Sequence, residues 1–596
     1  MKAVTAVLLG LLLLGATVAT PLSANQSGYV GGRFPTEERF VDQAYRDVLS
    51  RPADPGGLAS WSRRLRSGVP PAALIEQLLT SEEFGGTTAP VVRLYRSIFD
   101  RQPDLEGLRF WVERRQRGES LTRLAQQMLA GAEFGELNAA ADIDAIVTAV
   151  FGRSLGRAPD EEGLAFWIEE IASGRRSLAG FVAAVSESPE HRALRSGDVL
   201  TTLSFLALLQ RVPDNAGLNY WSERLESGEP LVTLLGSMMG TPEYLGRFAP
   251  APTVRIEVVA TGLTIPWDIE SLPDGTLVFT ERRGRLGVVP PGGTARLLAA
   301  DFSASFISGE TGVMGLAVDP DFARNRRIYV CQGHAAPREI RVVVWTLDNE
   351  LTVATRGSTL VGGLPIVSGR HGGCQLEFGA DGHLYVGTGD AAVGTNPQDL
   401  ASLGGKVLRV DAATGRAPSD NPFVGSANPA TRLIYSYGHR NVQGLALRPG
   451  TDEMWSVEHG PTRDDEVNRL IPGANAGWNP VGPSGYDESV PMTDRRLADA
   501  LDPAWSTGSP TLALSGGDWL DDPSWGSWNG GLGLAALKNQ TLRLVFFSPE
   551  GAFLGDHVII DGAYGRLRAV HQAPNGSLYV STSRGNDQIL RITAAP

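Results

Sequence analysis

The sequence predicts a multidomain protein: an all-α helical repeat array followed by an all-β six-bladed β-propeller. Three observations predict it. A D-x-x-G-L-x-x-W phrase returns four times between Phe34 and Phe248. Beyond Val254 it stops, and short apolar strands joined by Asp-Gly and Asn-Gly turns replace it. Finally, 596 residues exceed what a single core accommodates.

Residues 1–24 read as a secretory signal peptide. Lys2 precedes an apolar run from Val4 to Val18, shorter than the ~20 residues of a membrane span, and small residues follow up to Ala24. After its removal no transmembrane segment is expected, and the protein is expected to be secreted or held at the cell surface. Residues 25–34 form a linker.

The repeats occupy 35–248. Their marker aspartates are Asp54, Asp104, Asp160 and Asp214, and the marker tryptophans are Trp61, Trp111, Trp167 and Trp221. An amphipathic helix such as FVDQAYRDVLSR precedes each marker. The aspartate is a natural N-cap, and Pro55 fits the N1 position. Gly68, Gly118, Gly174 and Gly228 close the second helix, and a third follows. Each unit is thus expected to be a three-helix module that buries its apolar faces by stacking. Capping is preferred over calcium ligation for the four aspartates. The markers resemble a bacterial surface-associated repeat domain of unknown function, similar to phycobilisome-linker modules. A cell-surface polymer or protein is the expected partner of the array.

Residues 249–253 are a proline-bearing linker, and 254–596 form the propeller. Val254, Ile256 and Val258 alternate as a strand does, and that strand is expected to close the ring. SLPDGTLVFTERRGRL, GADGHLYVGTGD and APNGSLYVSTSRGN each read as a hairpin around a tight turn. Six blades of roughly 55 residues fit the length.

Composition narrows the chemistry. The net charge of −13 argues against nucleic acid as a partner. Two cysteines exclude a zinc ribbon, an Fe–S cluster and covalent haem, so electrons must leave to an external acceptor. Cys331 and Cys374 are either bridged or two buried thiols. Strand–GxGxxG–helix and GxxxxGK[ST] patterns are missing, which disfavours nicotinamide and P-loop chemistry.

The chemistry-bearing stretch is YGHRNVQGLALRPGTDEMWSVEHGPTRDDE, residues 437–466. Arg440 and Asn441 offer forked donors for carboxylate or quinone oxygens. The Gly460-Pro461 turn before Asp464, Asp465 and Glu466 offers hard oxygen ligands for calcium. In GRHGGCQLEFGADGHLYVGTGD, a hairpin brings His371 and Asp390 to one rim. A histidine oriented by a carboxylate is suited to general-base work; a structural histidine is the other reading. Lys538, Arg566 and Arg568 join Arg440 as cations expected to face the central channel. Such a set suits a ligand with several carboxylates.

PWDIESLPDG, GETGVMGLAVDPDF, LGGKVLRVD, GHRNVQGL, EHGPTRDDEVN and YGRLRAV, taken in order, resemble the soluble PQQ-dependent sugar dehydrogenases. That family includes glucose, aldose-sugar and sorbosone dehydrogenase types, and the likeness runs from about 254 to 592. The resemblance implies an aldose-type sugar oxidised at C1, with PQQ and Ca2+ as cofactors. His371 matches the general base, and Asp390 matches its orienting carboxylate. Arg440, Asn441, Lys538, Arg566 and Arg568 match the groups that hold PQQ. Gly460 and Pro461 match carbonyl ligands of the calcium beside PQQ, while Glu466 and Ala476 match ligands of a second calcium. Glu310 stands beside the quinone position where relatives carry glutamine, and the loop after the base reads HGGCQ. Two other readings are a calcium-dependent, lactonase-like hydrolase and a non-catalytic extracellular binding propeller.

Overall fold

The computed structural model of the protein describes residues 29–138, 141–483 and 485–595. The signal peptide lies outside the described residues, as does the linker before residue 29. The chain divides into two compact units, 28–249 and 250–596.

In the helical unit, local sequence sets each boundary. The helix Glu37–Leu49 starts where Thr36 caps it, accepting from Arg39 N, and it buries Phe40, Val41, Ala44, Tyr45 and Val48 at helical spacing. Ser50, in the left-handed region, ends it. The four marker aspartates then cap the second helices: each Oδ1 accepts from the glycine amide three residues on, at 2.7–2.8 Å. Those carboxylates are committed to helix starts.

Each module carries one element more than the expected three. The segment PAALIEQLLTSEEFG breaks at Thr80–Ser81 into Pro71–Leu79 and a short helix Glu82–Gly85. Counterparts follow at Ala132–Leu137, Pro189–Leu194 and Pro242–Leu245. The break comes from Ser81, whose hydroxyl accepts the Phe84 amide and so starts a new helix. Arg51, Arg101, Arg157 and Arg211 each grip the glutamate of that short helix through a two-pronged pair. The modules are not stacked in line. Helix 71–79 packs on 231–239 and helix 121–129 on 178–186, so the first repeat meets the fourth and the second meets the third. One continuous core runs through all four.

The second unit consists of six four-stranded antiparallel sheets. Their innermost strands are Pro266–Ser271, Val313–Val318, Gly373–Phe378, Val442–Leu447, Leu514–Trp519 and Leu567–Gln572. Each touches the next around a closed ring. The strand Thr253–Leu263 joins the last blade by pairing antiparallel with Asp587–Ala595, Val254 opposite Ala594 and Leu263 opposite Asp587. The first strand thus completes the last blade and ties the two ends of the ring together.

The blade hairpins decide where chemistry can gather. An innermost strand runs away from one rim, turns at a site such as Asp274-Gly275, and the next strand returns. Gly275 adopts φ +83° in that turn, a conformation that favours glycine. The residue before an innermost strand and the residue after its partner therefore share one rim.

Candidate active site

That rim collects Arg282, Glu310, His371, Asp390, Arg440, Asn441, His459, Gly460, Lys538 and Arg566 from successive blades. At its centre, His371 Nδ1 lies 2.8 Å from Asp390 Oδ1, and both residues are buried. His371 adopts the left-handed φ of 49°. The backbone holds it there: the Asp390 amide donates to the Arg440 carbonyl at 2.8 Å, and the His371 amide donates to Glu310 Oε2 at 3.0 Å. Gly389 is needed for this approach, because a Cβ there would lie 1.9 Å from the His371 carbonyl oxygen.

Arg440 closes the other side of the imidazole. Its Nη2 is 3.0 Å from His371 Nε2 and 2.7 Å from Glu488 Oε1, while Nη1 donates to the His459 carbonyl at 2.6 Å. The preceding residue supports it. His439 pairs with the buried Glu458 at 2.6 Å, and Glu458 also accepts the Arg440 amide. Burial pushes the Glu458 carboxyl up, but His439 and these hydrogen bonds outweigh it and hold it below the usual carboxylate range. Asn441 donates weakly to Glu310, and its own Oδ1 is buried without a partner among the described residues.

A second group of cations sits across the channel. Arg568 is buried, with its guanidinium 4.0 Å above the Trp267 ring and, among the described residues, bonded only to neutral groups: Ser583, Gln443 and Ser515. Burial first, and then the charges of Arg566 and Arg282, push Arg568 down to about 9. None of these three arginines forms an ion pair among the described residues. Glu310 opposes them electrostatically. It thus serves the base loop and the cation cluster together, rather than merely adding negative charge beside a ligand.

The remaining rim cations differ in burial. Lys538 shares the rim but is exposed and makes no side-chain hydrogen bond or ion pair among the described residues. Arg566 and Arg568 do not form an equivalent pair on one strand face. Arg566 precedes the strand and is exposed, whereas Arg568 lies inside it and is buried.

At the calcium candidates, the turn Gly460–Pro461 follows the strand Met454–Glu458. The Gly460 amide donates to the buried Asp465 at 2.9 Å, while no donor reaches the carbonyls of Gly460 or Pro461 among the described residues. Glu466 is buried against Thr493 at 2.9 Å, with no cationic partner among the described residues. Burial and the neighbouring Glu458 push it well above the usual range. Ala476 lines a cavity of about 140 Å³ with Ser436, His439 and Asn468. Among the described residues no three His, Cys, Asp or Glu side chains converge as a metal cage, so a cation there would depend on carbonyl oxygens.

Cys331 and Cys374 are disulfide-bonded, their Cα atoms 6.0 Å apart. The bridge joins the second strand of one blade to the innermost strand of the next, three residues beyond His371. Four tryptophans of the propeller serve packing: Trp519, Trp525 and Trp528 are buried, and Trp505 stacks on Phe553.

The sequence reading missed four residues. Arg282 ends a second strand as Asp390 does, and that hairpin position could have revealed it. Trp478, Tyr486 and Glu488 come from a strap between blade strands, which carries the short pairing of Val481–Gly482 with Gly485–Tyr486. Nothing periodic marks them.

The glucose/sorbosone dehydrogenase family model matches residues 263–591, more than half of the chain. The chain belongs to this family. The glucose/sorbosone dehydrogenase match covers the propeller, and the model of a domain of unknown function matches residues 27–88 and 125–195 in the repeats. Aldose sugar dehydrogenase YliI of Escherichia coli is 29% identical over 61% of this chain and 97% of its own length. Quinoprotein glucose dehydrogenase B of Acinetobacter calcoaceticus is 29% identical over 44% of this chain and 60% of its own. The crystal structure of an oxidoreductase of the glucose dehydrogenase type from a Thermus species is 32% identical, with a TM-score of 0.50. The likeness covers 57% of this chain and 99% of that one.

Proposed function

We propose that the propeller is a PQQ- and calcium-dependent dehydrogenase that oxidises an aldose-type sugar at C1 and passes the electrons to an external acceptor. The observation that carries this reading is the placement of an oriented His371–Asp390 pair beside three arginines without carboxylate partners. A buried cation among neutral groups is costly unless an anion completes it. A tricarboxylate fits that demand, and a neutral lactone does not.

When bound, PQQ supplies a quinone that accepts hydride, and calcium supplies Lewis-acid polarisation. Arg568, Arg566 and Arg282 would hold its acidic groups, with Arg440 and the unpartnered Asn441 Oδ1 side completing the polar wall. Gly460 and Pro461 would give carbonyl oxygens to the nearby calcium, and Glu466 with the Ala476 carbonyl would serve a second ion. His371, its Nδ1–H held by Asp390, would accept the C1 hydroxyl proton at Nε2 once Arg440 turns toward the anion. Trp478 and Tyr486 would exclude water from behind the pair. The disulfide supports an oxidising, extracytoplasmic location. The repeats would tether the enzyme to a surface polymer or protein.

Reconstitution tests the proposal. The purified chain with PQQ and Ca2+ is expected to reduce a dye on addition of an aldose, and chelation with EGTA is expected to abolish the reaction. Sugar-dependent dye reduction without PQQ, or lactone hydrolysis in its place, would overturn it.

A further inference from the structure

We infer that Tyr486 and Trp478 are positioning residues that act on the base through Asp390. The inference rests on the proposed role of His371, and it concerns groups with no expected contact to sugar or cofactor.

Asp390 is fully buried, and both of its oxygens are saturated. Oδ1 accepts from His371 Nδ1 at 2.8 Å and from the Ala392 amide at 2.7 Å. Oδ2 accepts from Trp478 Nε1 at 2.8 Å and from the Tyr486 hydroxyl at 2.6 Å. An ionised carboxylate offers about four lone-pair sites, so the donors fill the set. Any rotation of Asp390 would break several of these bonds at once, and the imidazole plane is fixed with it. The four donors also share the negative charge, which leaves less of it facing the imidazole.

Two of the donors come from the strap rather than from a blade. Tyr486 Oη also lies 3.1 Å from His371 Nδ1, but that nitrogen already donates to Asp390. The phenol therefore gives its proton to the carboxylate. Burial, then the Asp390 charge, pushes Tyr486 above its ordinary range and keeps it a donor. Other charged groups face the pair from several elements. Arg440 and Glu488 approach Nε2, the latter at 3.6 Å. Glu310 holds the backbone amide of His371. His459 lies within electrostatic range of His371, and buried Lys406 within that of Asp390. None of these supplies a hydrogen bond to Asp390 Oδ2, so loss of Tyr486 or Trp478 has no substitute among them.

The test uses Tyr486→Phe and Trp478→Phe in the full chain. Removing one donor returns charge to Asp390 and favours the protonated imidazole. The acid limb of kcat/KM against pH is expected to move up by about half to one pH unit, with kcat down roughly three- to tenfold. KM for the sugar is expected to stay within about twofold. The cofactor-free protein gives an independent readout. With 15N-labelled histidine, and His371→Ala to assign the signal, the titration midpoint of His371 is expected to rise in both variants. An unchanged acid limb and an unchanged midpoint in variants that unfold at the wild-type temperature would overturn the inference. A wild type without PQQ-dependent turnover would sink the proposed function instead, and the histidine midpoints would still decide this one.

Discussion

Arg440 Nη2 lies 3.0 Å from His371 Nε2, and in that pair the arginine is the donor. A guanidinium has no acceptor, so Nε2 carries the lone pair and Nδ1 carries the proton given to Asp390. The imidazole is thus held in its proton-accepting tautomer, with a cation covering the reactive nitrogen. His371→Ala is expected to lower kcat by about 10²–10⁴-fold while PQQ binding, read by absorbance titration, persists. Asp390→Asn is expected to fall in the same range, because the amide can present a donor to Nδ1 and favour the wrong tautomer.

Arg568 carries the clearest electrostatic demand. Its folded value of about 9 lies well below the ordinary arginine range. For a base lowered on folding, the charged form costs stability below pH ~9, and the cost fades as pH rises towards the unfolded value. At neutral pH the apo protein bears that cost in full, and a bound anion removes it. Arg568→Met is expected to leave the apo melting temperature unchanged or raised. It is also expected to weaken PQQ binding by about 10–100-fold, as the ~1.5–3 kcal/mol of a charge-assisted bond implies. Thermal scans with and without PQQ measure both effects.

Glu488 competes for the same guanidinium. It accepts from Arg440 at 2.7 Å and from Arg370 at 2.8 Å. Burial alone would raise it, but the two arginines outweigh that and hold it below its ordinary range. A carboxyl lowered on folding keeps its pairing above its unfolded value and loses it as pH falls through the lower folded one. The strap contact therefore persists across neutral pH. Since the pair is partly exposed, Glu488→Gln is expected to tighten PQQ binding by only about two- to fivefold. Stopped-flow association rates are the measurement that checks it.

The disulfide closes a 43-residue interval and anchors the strand that follows the base. Replacing both cysteines with alanine is expected to cost about 2–4 kcal/mol on the chain-entropy account. Denaturant titration of the full chain reads the loss. Turnover is expected to fall as well, because Cys374 fixes the start of the strand behind His371.

The sequence by itself determined the elements whose signals are local. Asp54 and its three counterparts announced helix starts, because a cap needs only an amide three residues away. The Asp-Gly and Asn-Gly turns announced hairpins, and hairpin geometry was enough to place His371 and Asp390 on one rim. The strand at Val254 announced itself by alternation, whereas the pairing with Asp587–Ala595 that closes the ring is a tertiary contact. Tertiary structure decided the rest. Which repeat meets which depended on apolar faces that are alike in all four modules, so pattern could not choose between them. Lys538 and Arg568 look equally cationic in sequence, and only packing buries one and exposes the other. Trp478, Tyr486 and Glu488 reach the dyad from an aperiodic strap, and their contacts form across separations of up to 118 residues. Such contacts leave no trace in local propensity, because they arise only when the closed ring brings distant loops within hydrogen-bond range.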